Sequence, residues 1–105
     1  MNLVFVETAS FTRYLSDYMD DEEYANFQAY LMVNPEIGKV IPHSDGLRKV
    51  RWAGKGKGKR GGLRIIYYNR LSIGKIWLLS IYAKGELEDL TINELKMIRK
   101  EVPND

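Results

Sequence analysis

Between Arg48 and Arg64 the chain carries eight Lys or Arg, five Gly and no acid in 17 residues. Glycine at that density disfavours both helix and strand interiors. The middle of the run, Ala53 to Gly62, therefore reads as a mobile loop. Strand-forming residues flank it, Leu47 to Trp52 before and Leu63 to Arg70 after, so the loop is a connection inside a domain and not a detached tail. The other 88 residues carry eight basic and fourteen acidic side chains. The net charge of +2 is thus a +8 segment on a −6 remainder. Like charges this close repel in a folded protein unless a polyanion neutralises them. A solvated lysine loop is the plain alternative, but one-segment asymmetry of this kind is a nucleic-acid footprint and predicts phosphate-backbone binding.

A chain of 105 residues has the size of one domain, spanning 1–105, with one core. Its 45% apolar content excludes wholesale disorder. The absence of Cys removes disulfides, thiol redox chemistry and thiolate zinc sites. No apolar run approaches the roughly 18 residues a membrane span needs. Met1 to Thr8 has no basic n-region, so no signal peptide is expected and the cytoplasm is the predicted location.

Leu3-Val4-Phe5-Val6 makes Asn2 to Val6 a short buried strand. Phe11, Tyr14, Leu15, Tyr18 and Met19 then fall at i, i+3, i+4, i+7 and i+8, an amphipathic helix capped by Thr8 or Ser10. Asp20, with Glu23 three residues on, starts a second helix in capping-box fashion, and Tyr24, Phe27, Leu31 and Met32 form its stripe. Asn34-Pro35 stops it. Leu47 to Trp52, Leu63 to Arg70 and Ile76 to Tyr82 are three strands, the last two joined through Ser72-Ile73-Gly74. Thr91 and Glu94 form a capping box for a final helix with Ile92, Leu95, Ile98 and Val102 on its stripe. The order predicts an α+β domain: a mostly antiparallel sheet, an N-terminal helix hairpin on one face and a C-terminal helix.

Side chains alternate between the faces of a strand. Burying Val50, Ile65, Tyr67, Leu79 and Ile81 under the helix hairpin leaves Lys49, Arg51, Arg64, Tyr82 and Lys84 together on the other face. Trp77 then lies on the hairpin side with Leu79 and Ile81. Four cations and a phenol form an anion site.

Other chemistries fit poorly. His43 stands alone, without a second His, a Cys or a tight carboxylate pair, so no metal site is expected. The acids at Asp20 to Glu23 are explained by helix capping. No nucleophile triad is present. Gly54 to Gly62 lacks the Gly-Lys-Ser/Thr of a Walker loop. A cationic face with tyrosine suits an RNA backbone and charge stabilisation on a phosphoryl group in flight.

Three segments together resemble the RelE superfamily: Gly62-Leu63-Arg64-Ile65-Ile66-Tyr67-Tyr68 after the glycine-closed loop, Leu79-Ser80-Ile81-Tyr82-Ala83-Lys84-Gly85-Glu86, and Asp89-Leu90-Thr91 before the last helix. Gly46-Leu47-Arg48-Lys49-Val50-Arg51 and the Gly/Lys/Arg loop are most similar to the HigB-type toxins of type II toxin–antitoxin pairs. The element order agrees along nearly the whole chain.

The resemblance implies a ribosome-dependent mRNA endoribonuclease that uses no metal and no other cofactor. In such enzymes the 2′-hydroxyl attacks the adjacent phosphate, leaving a 2′,3′-cyclic phosphate and a 5′-hydroxyl. Arg64 matches the strand arginine that contacts the scissile phosphate. Lys49 and Arg51 match the paired basic residues of the preceding strand, Lys84 the basic residue after the last strand, and Tyr82 lies near a tyrosine of some members. Arg48, Lys55, Lys57, Lys59 and Arg60 are the expected RNA- and ribosome-binding cations. Arginine keeps its proton, so Arg51 cannot serve as the base that a lysine provides in some relatives. Lys49, Lys84 or Glu86 remains for that role. The implied partners are mRNA on the ribosome and a cognate antitoxin of helix-turn-helix, HigA-like type, with operator DNA reached only through the antitoxin. A non-catalytic RNA- or ribosome-binding relative is the alternative.

Overall fold

The computed structural model describes residues 2–53, 62–86 and 90–104. In chain order the elements are β1 (Val4–Glu7), α1 (Ala9–Tyr18), α2 (Asp21–Val33), β2 (Lys39–Val40), β3 (Arg48–Trp52), β4 (Leu63–Arg70), β5 (Lys75–Ala83) and α3 (Ile92–Arg99). They form one five-stranded sheet in the order β1-β5-β4-β3-β2. β1 runs parallel to β5 and every other neighbouring pair is antiparallel. No helix among the described residues is long and apolar enough to cross a membrane.

Short-range chemistry sets the helix starts. The Thr8 hydroxyl accepts the Phe11 N–H at 3.2 Å and the Asp20 carboxylate accepts the Glu23 N–H at 2.8 Å, each satisfying a donor the first turn leaves open. At α3 the full capping box forms: Thr91 Oγ1 accepts the Glu94 N–H at 3.1 Å, and Glu94 Oε1 accepts the Thr91 N–H at 2.8 Å.

The α1–α2 hairpin covers one sheet face. Phe11, Met19, Phe27 and Leu31 pack there on Val50, Leu63, Ile65, Tyr67, Ile76, Leu78 and Ile81. Tyr67 is fully buried; its hydroxyl donates to the Pro35 carbonyl at 2.8 Å and accepts the Gly38 N–H at 2.9 Å. A Cβ on Gly38 would stand 2.7 Å from the Tyr67 ring, so only glycine permits this approach.

Several expectations are corrected. Leu79 lies on the opposite face, in a second core with Leu47, Ile66, Trp77, Tyr82, Leu95 and Val102. The cause is a bulge: Ile66 pairs with Ser80 but Tyr67 pairs with Leu78, so Leu79 is an extra residue and the alternation of β5 inverts across it. Trp77 and Tyr82 thus share a cluster instead of standing on opposite faces. On the face expected to carry the four cations and the phenol, α3 packs Leu95 into a core with Ile66 and Tyr82.

β1 is a sheet edge with Val4 more than half exposed, not a buried strand. Met32 is exposed, off the α2 stripe, and Ile92 is exposed at the start of α3. The two-residue β2 has no counterpart in the sequence reading, being too short to show alternation.

Candidate functional site

Register across β3, β4 and β5 builds the site. Arg51 lies opposite Arg64, and Arg64 lies opposite Tyr82, so the three side chains form one row on one face. Lys49, two residues before Arg51, shares that face, opposite Ile66 on β4 and Lys39 on β2. Lys84 continues the β5 alternation beyond Tyr82; its backbone N–H donates to the Gly62 carbonyl at 3.1 Å and its side chain is exposed. The sheet therefore gathers Lys49, Arg51, Arg64 and Tyr82, with Lys84 at the rim. Lys39, which the sequence reading missed, joins them through β2.

Tyr82 sits at the border between the row and the second core. Its ring is buried among Leu79, Ile66 and Leu95 rather than standing as an open phenol. It also lines a hollow of about 270 Å³ together with Lys49, Ile66, Ile41, Pro42 and the start of α3. A buried ring fixes the residue's position far better than a solvated one.

Arg48 stands apart. It faces the hairpin side, opposite Tyr67, and its Nη1 donates to the carbonyls of Glu36 at 3.0 Å and Gly38 at 2.7 Å. Its guanidinium holds the chain entering β2 instead of joining the row. Lys55, Lys57, Lys59 and Arg60 lie outside the described residues.

Glu86 follows β5 in a turn where Gly85 adopts a positive φ of 90°. Its Oε1 accepts the Tyr18 hydroxyl and the Ala83 N–H, the latter at 2.7 Å. These two hydrogen bonds hold its carboxyl below the usual carboxylate range. In return the Glu86 carboxylate, aided by burial, pushes the Tyr18 phenol up to about 12. A carboxylate held down in this way is a poor proton acceptor near neutral pH. The link joins α1 to the end of β5 across 68 residues, a pairing that spacing along the chain does not reveal.

Among the described residues no group of three or more His, Cys, Asp or Glu could hold a metal ion. His43 sits exposed in the β2–β3 connection with φ +61°. The arrangement can instead do anion chemistry: cations from adjacent strands presented on a rigid sheet beside a fixed aromatic.

No family model matches the chain. Among solved structures it is similar to the E. coli toxin RelE, determined as a double arginine-to-alanine mutant in the free state. The match covers 96% of this chain and 97% of that one, with a TM-score of 0.56 and 10% sequence identity. Likeness at that identity is one of architecture. The protein is a small α+β domain with the RelE fold along nearly its whole length.

Proposed function

We propose that the protein is the toxin of a type II toxin–antitoxin pair and acts as a HigB-like, ribosome-dependent mRNA endoribonuclease. The observation that carries this reading is the Arg51–Arg64–Tyr82 row, flanked by Lys49, on the sheet of a RelE-type fold. Guanidinium groups fixed on adjacent strands offer hydrogen-bond donors to phosphate oxygens, and preorganised positive charge is worth most where negative charge develops.

In this mechanism the 2′-oxygen attacks the neighbouring phosphorus and the P–O5′ bond breaks, leaving a 2′,3′-cyclic phosphate and a 5′-hydroxyl. Arg64 and Arg51 balance the added charge on the phosphoryl oxygens. The 2′-hydroxyl proton passes to a base and another proton reaches the leaving 5′-oxygen. Glu86, engaged twice and held acidic, is a weak candidate for the base, so the role falls to Lys49 or Lys84. No step is assigned to a metal. Lys55, Lys57, Lys59 and Arg60 extend the phosphate contacts, the partner is a HigA-like helix-turn-helix antitoxin, and the site of action is the cytoplasm.

The test is inducible expression followed by primer extension on a translated transcript, with and without a translation inhibitor. New 5′ ends that need translation, and that vanish with Arg64→Ala while the fold is retained, are expected. Full growth arrest by Arg64→Ala removes the assigned site. Growth arrest without RNA cuts favours the non-catalytic ribosome-binding alternative.

A further inference from the structure

β1 pairs with Lys75 to Leu78, so among the described residues the second half of β5 has no strand beside it on that side. A groove of about 360 Å³ opens there, lined by Ser10, Tyr14 and Tyr18 of α1 and by Ser80, Ile81, Tyr82 and Glu86. Tyr82 is thus shared between the groove and the cationic row. Tyr14 and Tyr18 bring two phenol side chains from α1 to this groove, and Tyr14 is 44% exposed. The Arg13 guanidinium lies over the Tyr14 ring, 5.5 Å from its centroid.

We propose that this groove binds a nucleobase of a single-stranded RNA whose phosphate lies on the Arg51–Arg64–Tyr82 row, with Tyr14 as the stacking surface. The proposal rests on the RNA reading of that row and adds a specific subsite to it. Charge selects a base over a phosphate: among the described residues the groove lining includes the Glu86 carboxylate and no cation, and Arg13 lies over the Tyr14 ring. A phosphate is repelled from such a lining, whereas a neutral base stacks on an aromatic face whatever its identity. Arg13 is placed for the next phosphate, the combination of ring and cation typical of single-strand binding. Continuity comes through Tyr82, which borders the row on one side and the groove on the other.

The experiment measures binding of two labelled probes to the full-length protein by fluorescence anisotropy: a single-stranded RNA decamer made uncleavable by 2′-O-methylation, and an abasic decamer with the same backbone. Tyr14→Ala should weaken the RNA probe about fivefold or more, the loss of one base stack, and leave the abasic probe unchanged. Tyr14→Phe should bind both as the parent does. Unchanged RNA binding by Tyr14→Ala, or an equal loss for both probes, overturns the groove. If Arg64→Ala still loses the RNA probe in that case, the reading of the row stands without it. A parent protein that binds neither probe overturns both.

Discussion

Arg51 and Arg64 lie directly opposite one another on β3 and β4, two guanidinium groups where a sheet ordinarily places opposite charges or apolar pairs. Lys39 and Lys49 repeat the arrangement on β2 and β3. Like charges opposed across a ladder cost stability, and the natural relief is a bound anion. Arg51→Gln is therefore expected to raise stability by about 0.5 kcal/mol, roughly 2–4 °C in Tm, while removing RNA cleavage. Urea and thermal unfolding check the first half; a fall in stability would mean that the two cations do not oppose each other in solution.

The same repulsion predicts a specific anion effect. Inorganic phosphate should raise Tm more than sodium chloride at equal ionic strength, because an ion that binds only the folded state adds stability by mass action while simple screening is common to both salts. The excess should shrink in Arg64→Ala. Identical curves in the two salts would show that no phosphate site exists.

Acid and alkali should both loosen the Tyr18–Glu86 link. The Glu86 carboxyl titrates below its ordinary value of 4.5 in the folded protein, so its contribution is present above that pH and fades as pH falls through the lowered value. Tyr18 is raised from 10.0 to about 12, so its contribution is present below 10 and fades as pH rises towards 12. Tyr18→Phe and Glu86→Gln should each cost less than about 1 kcal/mol at pH 7, since the pair is near solvent. The double variant should cost less than the two singles added together, and each variant should have a flatter acid limb. Additive losses across the pH range would show that the two residues act separately.

Gly62→Ala should destabilise by about 1–3 kcal/mol and disturb Arg64 with it. Gly62 has φ +68°, and a Cβ there would lie 2.4 Å from the Trp52 carbonyl oxygen, a backbone atom that cannot swing away. The ladder between β3 and β4 would have to open at the end where Arg51 and Arg64 stand. Denaturation midpoints together with RNA cleavage would detect it; a neutral alanine would mean the end of the ladder readjusts freely.

Thr91→Ala should cost about 1 kcal/mol by removing the side chain that closes the first turn of α3. Because α3 lays Leu95 over Ile66 and Tyr82, fraying there should also raise hydrogen exchange in the adjoining part of β5. Exchange confined to the first turn of the helix would show that the second core holds without it.

What could be read from the sequence follows the range of the interactions. The caps act over three residues, so local spacing marks Asp20 and Thr91 and narrows the first cap to Thr8 or Ser10, of which Thr8 is used and Ser10 lies inside α1. The common face of Lys49, Arg51, Arg64 and Tyr82 also follows from counting by twos, since Arg51, Arg64 and Tyr82 lie on the straight side of the bulge. The bulge itself is not legible: Leu79 is as apolar as Leu78 and Ile81, its two possible faces are both cores, and one serine, Ser80, beside it does not fix which face inverts. Tyr18 reads as one more member of an apolar stripe because its partner, Glu86, is supplied by the tertiary fold. Arg48 reads as one more cation of a basic run, although the carbonyls of Glu36 and Gly38 already engage it.

The buried hydroxyl of Tyr67 carries a consequence for the opposite side of the molecule. A two-residue strand has too short a ladder to locate itself, so β2 is held by what grips the chain just before it: Tyr67 on Pro35 and Gly38, Asn69 Nδ2 on the Pro35 carbonyl at 2.9 Å, and Arg48 on Glu36 and Gly38. Lys39 follows Gly38 directly. The spacing of the cations on one face is therefore gauged by a clamp on the other, through a sheet one residue thick. Tyr67→Phe would leave every charge in the molecule in place and still detune the field that those charges make.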